Sequence, residues 1–291
     1  MLRLLTVALP ILRVRPRLQL VFVILGATWL NHQVSITIRS AYLNTREASM
    51  PQHIGIVGCS AEGAALCYRT ICAEGAALMG SHAHPEVSMH THSLADYVAC
   101  LDRGDWAGVG QLMLSSVRKL AAGGADFVIC PDNTIHQALT HIDGLSPLPW
   151  LHIADTVAAE ARRQGYRRVG LTGTTWLVQS DVYPPRLASQ GIETLCPTPD
   201  EREAINRIIM EELVRGIFKP EAVATFQRLI DRLRADGCDA VVLGCTEIPL
   251  IMNDENSPLP TLDSTRLLAR AALRRASAGP EPAVLDTAGR Q

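Results

Sequence analysis

Two stretches of this chain repeat each other. Gly124-Ala-Asp-Phe-Val-Ile-Cys-Pro-Asp-Asn-Thr134 and Gly237-Cys-Asp-Ala-Val-Val-Leu-Gly-Cys-Thr-Glu247 align without a gap at an offset of 113 residues. An earlier pair, Ile54-Gly-Ile-Val-Gly-Cys-Ser60 and Val169-Gly-Leu-Thr-Gly-Thr-Thr175, aligns at an offset of 115. Each member is a short apolar run leading into small and polar residues, the pattern of a buried strand that ends in a loop. From His53 onward such runs alternate with helical patterns, which predicts βαβ units and a largely parallel sheet. The expected strands are Ile54–Val57, Phe127–Cys130, Val169–Leu171 and Ala240–Leu243. Between the last two, Thr198-Pro-Asp-Glu201 reads as a capping box with proline at the first helical position, and Ile205, Ile208, Ile209 and Leu213 supply the buried face. A second amphipathic helix carries Val223, Phe226, Ile230 and Leu233.

A duplicated strand–loop unit predicts two pseudo-symmetric α/β lobes with mostly parallel sheets and a site in the cleft between them, where loops leave the carboxyl ends of the strands. The expected boundaries are residues 50–152 plus 265–276 for the first lobe and 153–264 for the second. Residues 1–49 are expected to be a disordered or mis-assigned leader. They carry Arg3, Arg13, Arg15, Arg17, Arg39 and Arg46 before the first acid, Glu47, around an apolar run from Leu18 to Leu30 that is short for a membrane span. Residues 277–291, rich in Ala, Gly and Pro, are expected to be a disordered tail.

The composition narrows the partner. A chain of 291 residues with 47% hydrophobic content can bury two cores, and a formal net charge of −2 supplies no basic field for nucleic acid or an anionic membrane. A small molecule is the expected partner, with no stable membrane association. Eight cysteines without a CxxC or paired metal spacing argue for reduced thiols and a cytoplasmic location rather than a disulfide framework.

Equivalent positions in a two-lobed repeat become opposed positions. Cys130 is equivalent to Leu243, inside the strand, whereas Asp132 and Cys245 both project from loops. A carboxylate facing a thiol is the default state at neutral pH, because reference values lie near 3.9 for Asp and about 8.5 for Cys. One group would take a proton from one face of a carbon while the other returns a proton to the opposite face. Asn133, Thr134, Thr246 and Glu247 in these loops, with Ser60, Thr174 and Thr175 in the turns Gly58-Cys59-Ser60 and Gly173-Thr174-Thr175, could hold a carboxylate through backbone N–H groups and hydroxyls. A cysteine after an apolar strand is more often a small buried hydrophobe, and Cys130 is read that way, as are Cys67, Cys72, Cys100, Cys196 and Cys238 at packing or surface positions.

Over roughly Ile54 to Ala276 the chain resembles the aspartate/glutamate racemase superfamily of cofactor-independent amino-acid racemases. The resemblance is carried by Gly244-Cys-Thr-Glu-Ile248, by Asn133-Thr134 with His136, by the Gly173-Thr174 turn, and by the run from Asp200-Glu-Arg through Ile205-Asn206 to Glu211-Glu212-Leu213. It implies two α/β domains, an isomerase that needs neither pyridoxal phosphate nor a metal, a homodimer, and an amino acid or related carboxylate as substrate. Cys245 would be one acid/base, with Asn133, Thr134 and Thr246 on the amino-acid head and Thr174 and Thr175 lining the cleft. The chain departs from the pattern where a cysteine usually precedes Asn-Thr, because that position is Asp132. The resemblance also admits single-cysteine relatives such as decarboxylases, maleate-type isomerases or hydantoin racemases, and a non-catalytic binding protein.

The histidines in Ser-His-Ala-His-Pro-Glu-Val-Ser-Met-His-Thr-His invite a metal reading, but no matching set of further ligands accompanies His82, His84, His90 and His92. The resemblance instead sets His90, Thr91 and His92 beside the substrate, with His92 as the candidate contact. Arg186 reads either as a partner for a second carboxylate or as a surface ion-pair residue, and His136 as a group that bonds the backbone of its own loop.

Overall fold

The computed structural model describes residues 51–278, so the expected leader and most of the expected tail lie outside the described residues. Two four-stranded, all-parallel sheets form the frame. The first is ordered β2(Val87–Thr91), β1(Ile54–Gly58), β3(Phe127–Ile129), β4(Trp150–Leu151), and the second β6(Glu193–Leu195), β5(Arg168–Thr172), β7(Ala240–Leu243), β8(Thr261–Asp263). The strand order is the same in both. So is the register, with Ile54 beside Phe127 in one sheet and Val169 beside Ala240 in the other, matching the two sequence offsets.

The central strands are buried end to end because helices cover both faces of each sheet. On one face of the first sheet Val57 and Val128 meet Val109, Met113 and Val117 of α3(Trp106–Ala122). On the other, Ile54, Ile56, Phe127 and Ile129 meet α1(Ala61–Met79) and α9(Ser264–Ala278). The remaining helices of the first half and its junction are α2(Leu94–Leu101), a 3₁₀ helix at Thr134–His141, and α4(Ile153–Arg163). In the second half α5(Thr175–Val178) and α6(Pro184–Ser189) precede β6. There α7(Pro199–Glu211), a 3₁₀ turn at Leu213–Arg215 and α8(Pro220–Ala235) bury Ile205, Ile209, Phe226 and Leu233 against Val241 and Leu243. The capping box forms as expected: Thr198 accepts from the Glu201 backbone N–H, and the Glu201 carboxylate accepts from the Thr198 N–H.

Helix α9 packs on α1 and α4 and runs to Ala278, with the Ser277 hydroxyl bonded to the Leu273 carbonyl. Ser277 and Ala278 therefore belong to a helix rather than to the expected tail. No helix among the described residues is long and apolar enough to cross a membrane.

Two glycines at equivalent positions let the helices approach the sheets. A Cβ on Gly55 would lie 3.3 Å from Leu120 Cβ of α3, and one on Gly170 would lie 2.6 Å from Leu233 Cδ1 of α8. Overpacking of this kind typically costs about 1–3 kcal/mol. Gly170→Ala is expected to lower the urea midpoint by that amount of stability while the slope of the transition stays unchanged, because the exposed surface does not alter.

Candidate active site

The loops that follow β1, β3, β5 and β7 all leave the carboxyl ends of parallel strands and converge on one cavity of about 70 Å³. Two hydroxyl pairs join the halves there. Ser60 Oγ lies 3.1 Å from Thr246 Oγ1, and Thr134 Oγ1 lies 3.0 Å from Thr174 Oγ1. Each pair links the first loop of one half to the second loop of the other, so the sequence repeat becomes an approximate two-fold arrangement of polar groups. The approach is tight: a Cβ on Gly63 would sit 2.4 Å from Thr246 Cγ2, and one on Gly244 would sit 2.4 Å from the Thr172 carbonyl oxygen.

Asp132 and Cys245 both line this cavity, as the opposed-loop reading requires. Asp132 Oδ1 accepts the Ile135 N–H at 3.2 Å. Burial pushes its carboxyl up to about 6, against the Ile135 hydrogen bond that favours the charged form, and the nearby Glu247 carboxylate adds to the rise. Cys245 Sγ donates to Glu247 Oε2 at 2.9 Å, and the same oxygen accepts from Thr246 Oγ1 at 2.7 Å. Burial holds the Cys245 thiol well above its ordinary value, and the Glu247 and Asp132 carboxylates push it further up. The resting pair is a carboxylate facing a protonated thiol.

Ser60, Asn133, Thr134, Thr174, Thr246 and Glu247 line the same cavity. Two of them are committed differently from the sequence reading. The Asn133 amide donates to Ser264 Oγ at 3.0 Å and accepts from the Tyr183 hydroxyl at 2.6 Å, so part of its bonding capacity braces the loop. Glu247 is buried and spends its carboxylate on Cys245 and Thr246.

Thr175 and His92 are absent from the cavity wall among the described residues. Counted from the equivalent glycines Gly58 and Gly173, the helix cap comes two residues on in the first half and one residue on in the second. Thr174, not Thr175, therefore caps its helix by accepting the Leu177 N–H and becomes the counterpart of Ser60, which caps α1 through the Gly63 N–H. The Thr175 N–H is instead bonded to Asn206 Oδ1 at 3.0 Å. His92 packs its ring edge-on against His90 with centroids 4.9 Å apart, and helix α2 puts Leu94 and Val98 on the wall in its place.

Elsewhere, His90 bonds Ser116 Oγ and lies 3.0 Å from Lys119 Nζ, and no group of three or more His, Cys, Asp or Glu among the described residues is placed to hold a metal ion. Arg186 pairs with Asp155 at 2.9 Å. His136 Nε2 meets the Cys130 carbonyl at 3.0 Å, within its own loop. Cys130 is fully buried, off the cavity.

Sequence reasoning did not single out Cys59 as a chemical group. It lines the cavity at the start of the first loop, and burial together with the nearby Asp132 carboxylate pushes its thiol well up. The signal was its place in a turn already read as ligand-facing, but only the pairing of β1 with β3 brings that turn beside Asp132.

The match to known proteins accords with this geometry. The family model for Asp/Glu/hydantoin racemases matches residues 54–272. The chain belongs to that family. A candidate Asp/Glu racemase from Yersinia pestis superimposes with a TM-score of 0.71 at 32% identity, covering 77% of this chain and 99% of that one. An aspartate racemase homologue from Pyrococcus horikoshii superimposes at 0.67 with 26% identity over 78% and 99% of the two chains. The broad-specificity amino-acid racemase RacX of Bacillus subtilis is 26% identical over 159 residues, which is 53% of this chain and 66% of RacX, just under two thirds of its length. These relatives are isomerases, and members of the family share the two-sheet α/β architecture.

The raised Asp132 carboxyl has a stability consequence whose sign follows from linkage. Between the ordinary value near 3.9 and the folded value of about 6 the folded state holds a proton that the unfolded state has lost, so this group's contribution falls as pH rises through that window. Asn, which can still accept the Ile135 N–H, removes the buried charge. Asp132→Asn is expected to be more stable than the parent at pH 8, by up to about 3 kcal/mol, with the gain vanishing below about pH 4. Thermal unfolding of both proteins from pH 4 to 8 checks it.

Proposed function

We propose that this family member is a cofactor-independent racemase or epimerase that moves protons at the α-carbon of an amino acid or related carboxylate, with Asp132 and Cys245 as the two acid/base groups. The observation that carries the reading is a carboxylate and a thiol on equivalent loops of two pseudo-symmetric halves, lining one cavity. The substrate carboxylate would lie on the ring of Ser60, Thr134, Thr174 and Thr246, whose hydroxyls keep spare donor or acceptor capacity beyond their mutual bonds.

In one direction Asp132, ionised above about pH 6, takes the Cα proton while the Cys245 thiol delivers its proton to the opposite face. That turnover leaves a protonated Asp132 opposite a Cys245 thiolate, the state from which the other direction starts. In that other direction the Cys245 thiolate takes the Cα proton and protonated Asp132 delivers its own to the opposite face. The two starting states differ in population at a given pH, so the two directions differ in their pH dependence. The chemistry calls for neither pyridoxal phosphate nor a metal, since both proton carriers are side chains of this chain.

Incubation with amino acids in D₂O tests the reading. Solvent deuterium is expected at Cα together with loss of optical activity, and the Asp132-as-base direction should show an acidic limb near pH 6 in kcat/KM. Asp132→Asn and Cys245→Ala should each lower racemisation by about 10²–10⁴-fold, the usual contribution of a positioned acid or base, while Cys130→Ala retains it. Full racemisation by Asp132→Asn, or release of CO₂ in place of deuterium incorporation, would rule the assignment out.

A further inference from the structure

The cavity has two chemically different sides. The loop side carries the hydroxyls, the two carboxylates and the thiols. The opposite side is built by helices. Leu94, Val98 and Leu101 of α2 are spaced i, i+4, i+7 and so share one helix face, and they line the cavity together with Ile209 and Met210 of α7 and Val214 of the turn that follows. Trp176 and Ile135 complete the apolar surface. No Lys, Arg or His is found among the described residues that line it, whereas Asp132 and Glu247 are both there.

A dicarboxylate such as aspartate or glutamate would bring its second carboxylate against this apolar wall, in a cavity that already holds two acids and, among the described residues, no cation. Burying an unpaired charge in such surroundings is strongly unfavourable. A cationic side chain fares no better on this wall, because its aliphatic residues supply no acceptor. The two carboxylates are already engaged, Asp132 with the Ile135 N–H and Glu247 with Cys245 and Thr246. Size points the same way: about 70 Å³ is well under the roughly 300–1,000 Å³ of pockets that take drug-sized ligands.

We infer that the substrate is a compact α-amino acid with a short, uncharged aliphatic side chain, its carboxylate on the hydroxyl ring and its side chain against the α2–α7 wall. The inference rests on the proton-transfer reading above and specifies which substrates that site accepts. It also assigns Val98 and Met210 a role in specificity: they exclude charge where a dicarboxylate would need a cation.

Cα deuterium incorporation measured on the full chain with L-alanine, L-2-aminobutyrate, L-valine, L-aspartate, L-glutamate and L-lysine decides it. The best aliphatic substrate is expected to exceed aspartate, glutamate and lysine in kcat/KM by at least about 100-fold, the discrimination that an unpaired buried charge readily supplies. Met210→Lys, close to Met in length, should shift the aspartate-to-aliphatic ratio at least about tenfold toward aspartate, while Met210→Leu keeps the aliphatic preference. Faster exchange of aspartate, glutamate or lysine than of every aliphatic substrate overturns the substrate class and leaves the proton-transfer reading intact. Exchange with no member of the panel overturns both.

Discussion

The two hydroxyl pairs between the halves, Ser60 with Thr246 and Thr134 with Thr174, are the contact on which the site depends. Each hydrogen bond is worth only about 0.5–1.5 kcal/mol net, so their importance is geometric rather than energetic. They are buried, and they form only when four loop ends meet at one point. Gly63 and Gly244 permit that meeting by removing side chains that would otherwise collide with Thr246 and with the Thr172 carbonyl. The same convergence that seats the hydroxyls also buries Asp132 and Cys245, and burial is the largest cause of the upward shift in both.

That shift changes what the two groups can do. An Asp at its ordinary value is a weak base at neutral pH. Raised to about 6, it is still ionised above that pH and a stronger base than an ordinary carboxylate. The cysteine moves in the opposite functional sense, toward the protonated thiol, and the Glu247 carboxylate 2.9 Å away opposes the thiolate. The repeat is therefore symmetric in backbone and asymmetric in chemistry. On the first half a thiol, Cys59, and a carboxylate, Asp132, come from two different loops; on the second, Cys245 and Glu247 come from one loop two residues apart.

The large features were legible in the residues because they follow from local pattern. Ile54–Val57 and Ala240–Leu243 are apolar runs too continuous for a half-exposed strand, and the ungapped offsets of 113 and 115 reappear as identical strand register in two sheets. The capping box at Thr198 and Glu201 is a local hydrogen-bond device and formed as read. The errors arose where long-range packing decides direction. Thr174 rather than Thr175 became the counterpart of Ser60 because the second helix starts one residue earlier relative to its glycine, which no local pattern reveals. The Asn133 amide bonds Tyr183 and Ser264, residues 50 and 131 positions away, and His92 packs on His90 off the cavity wall.

By itself the sequence determined the duplication, the parallel α/β architecture and the two loop positions, Asp132 and Cys245, that the duplication sets against each other. Periodicity and repeat spacing are properties of the chain's own order, so they survive without a third dimension. Only the tertiary structure decided that Glu247 serves the thiol, that Cys59 joins Asp132, and that aliphatic residues from α2 and α7 close the cavity with no cation among the described lining residues. Those facts depend on which side chains the converging loops and helices bring together, whether two residues apart, as Cys245 and Glu247 are, or about a hundred, as α2 and α7 are, so distance and burial set the chemistry.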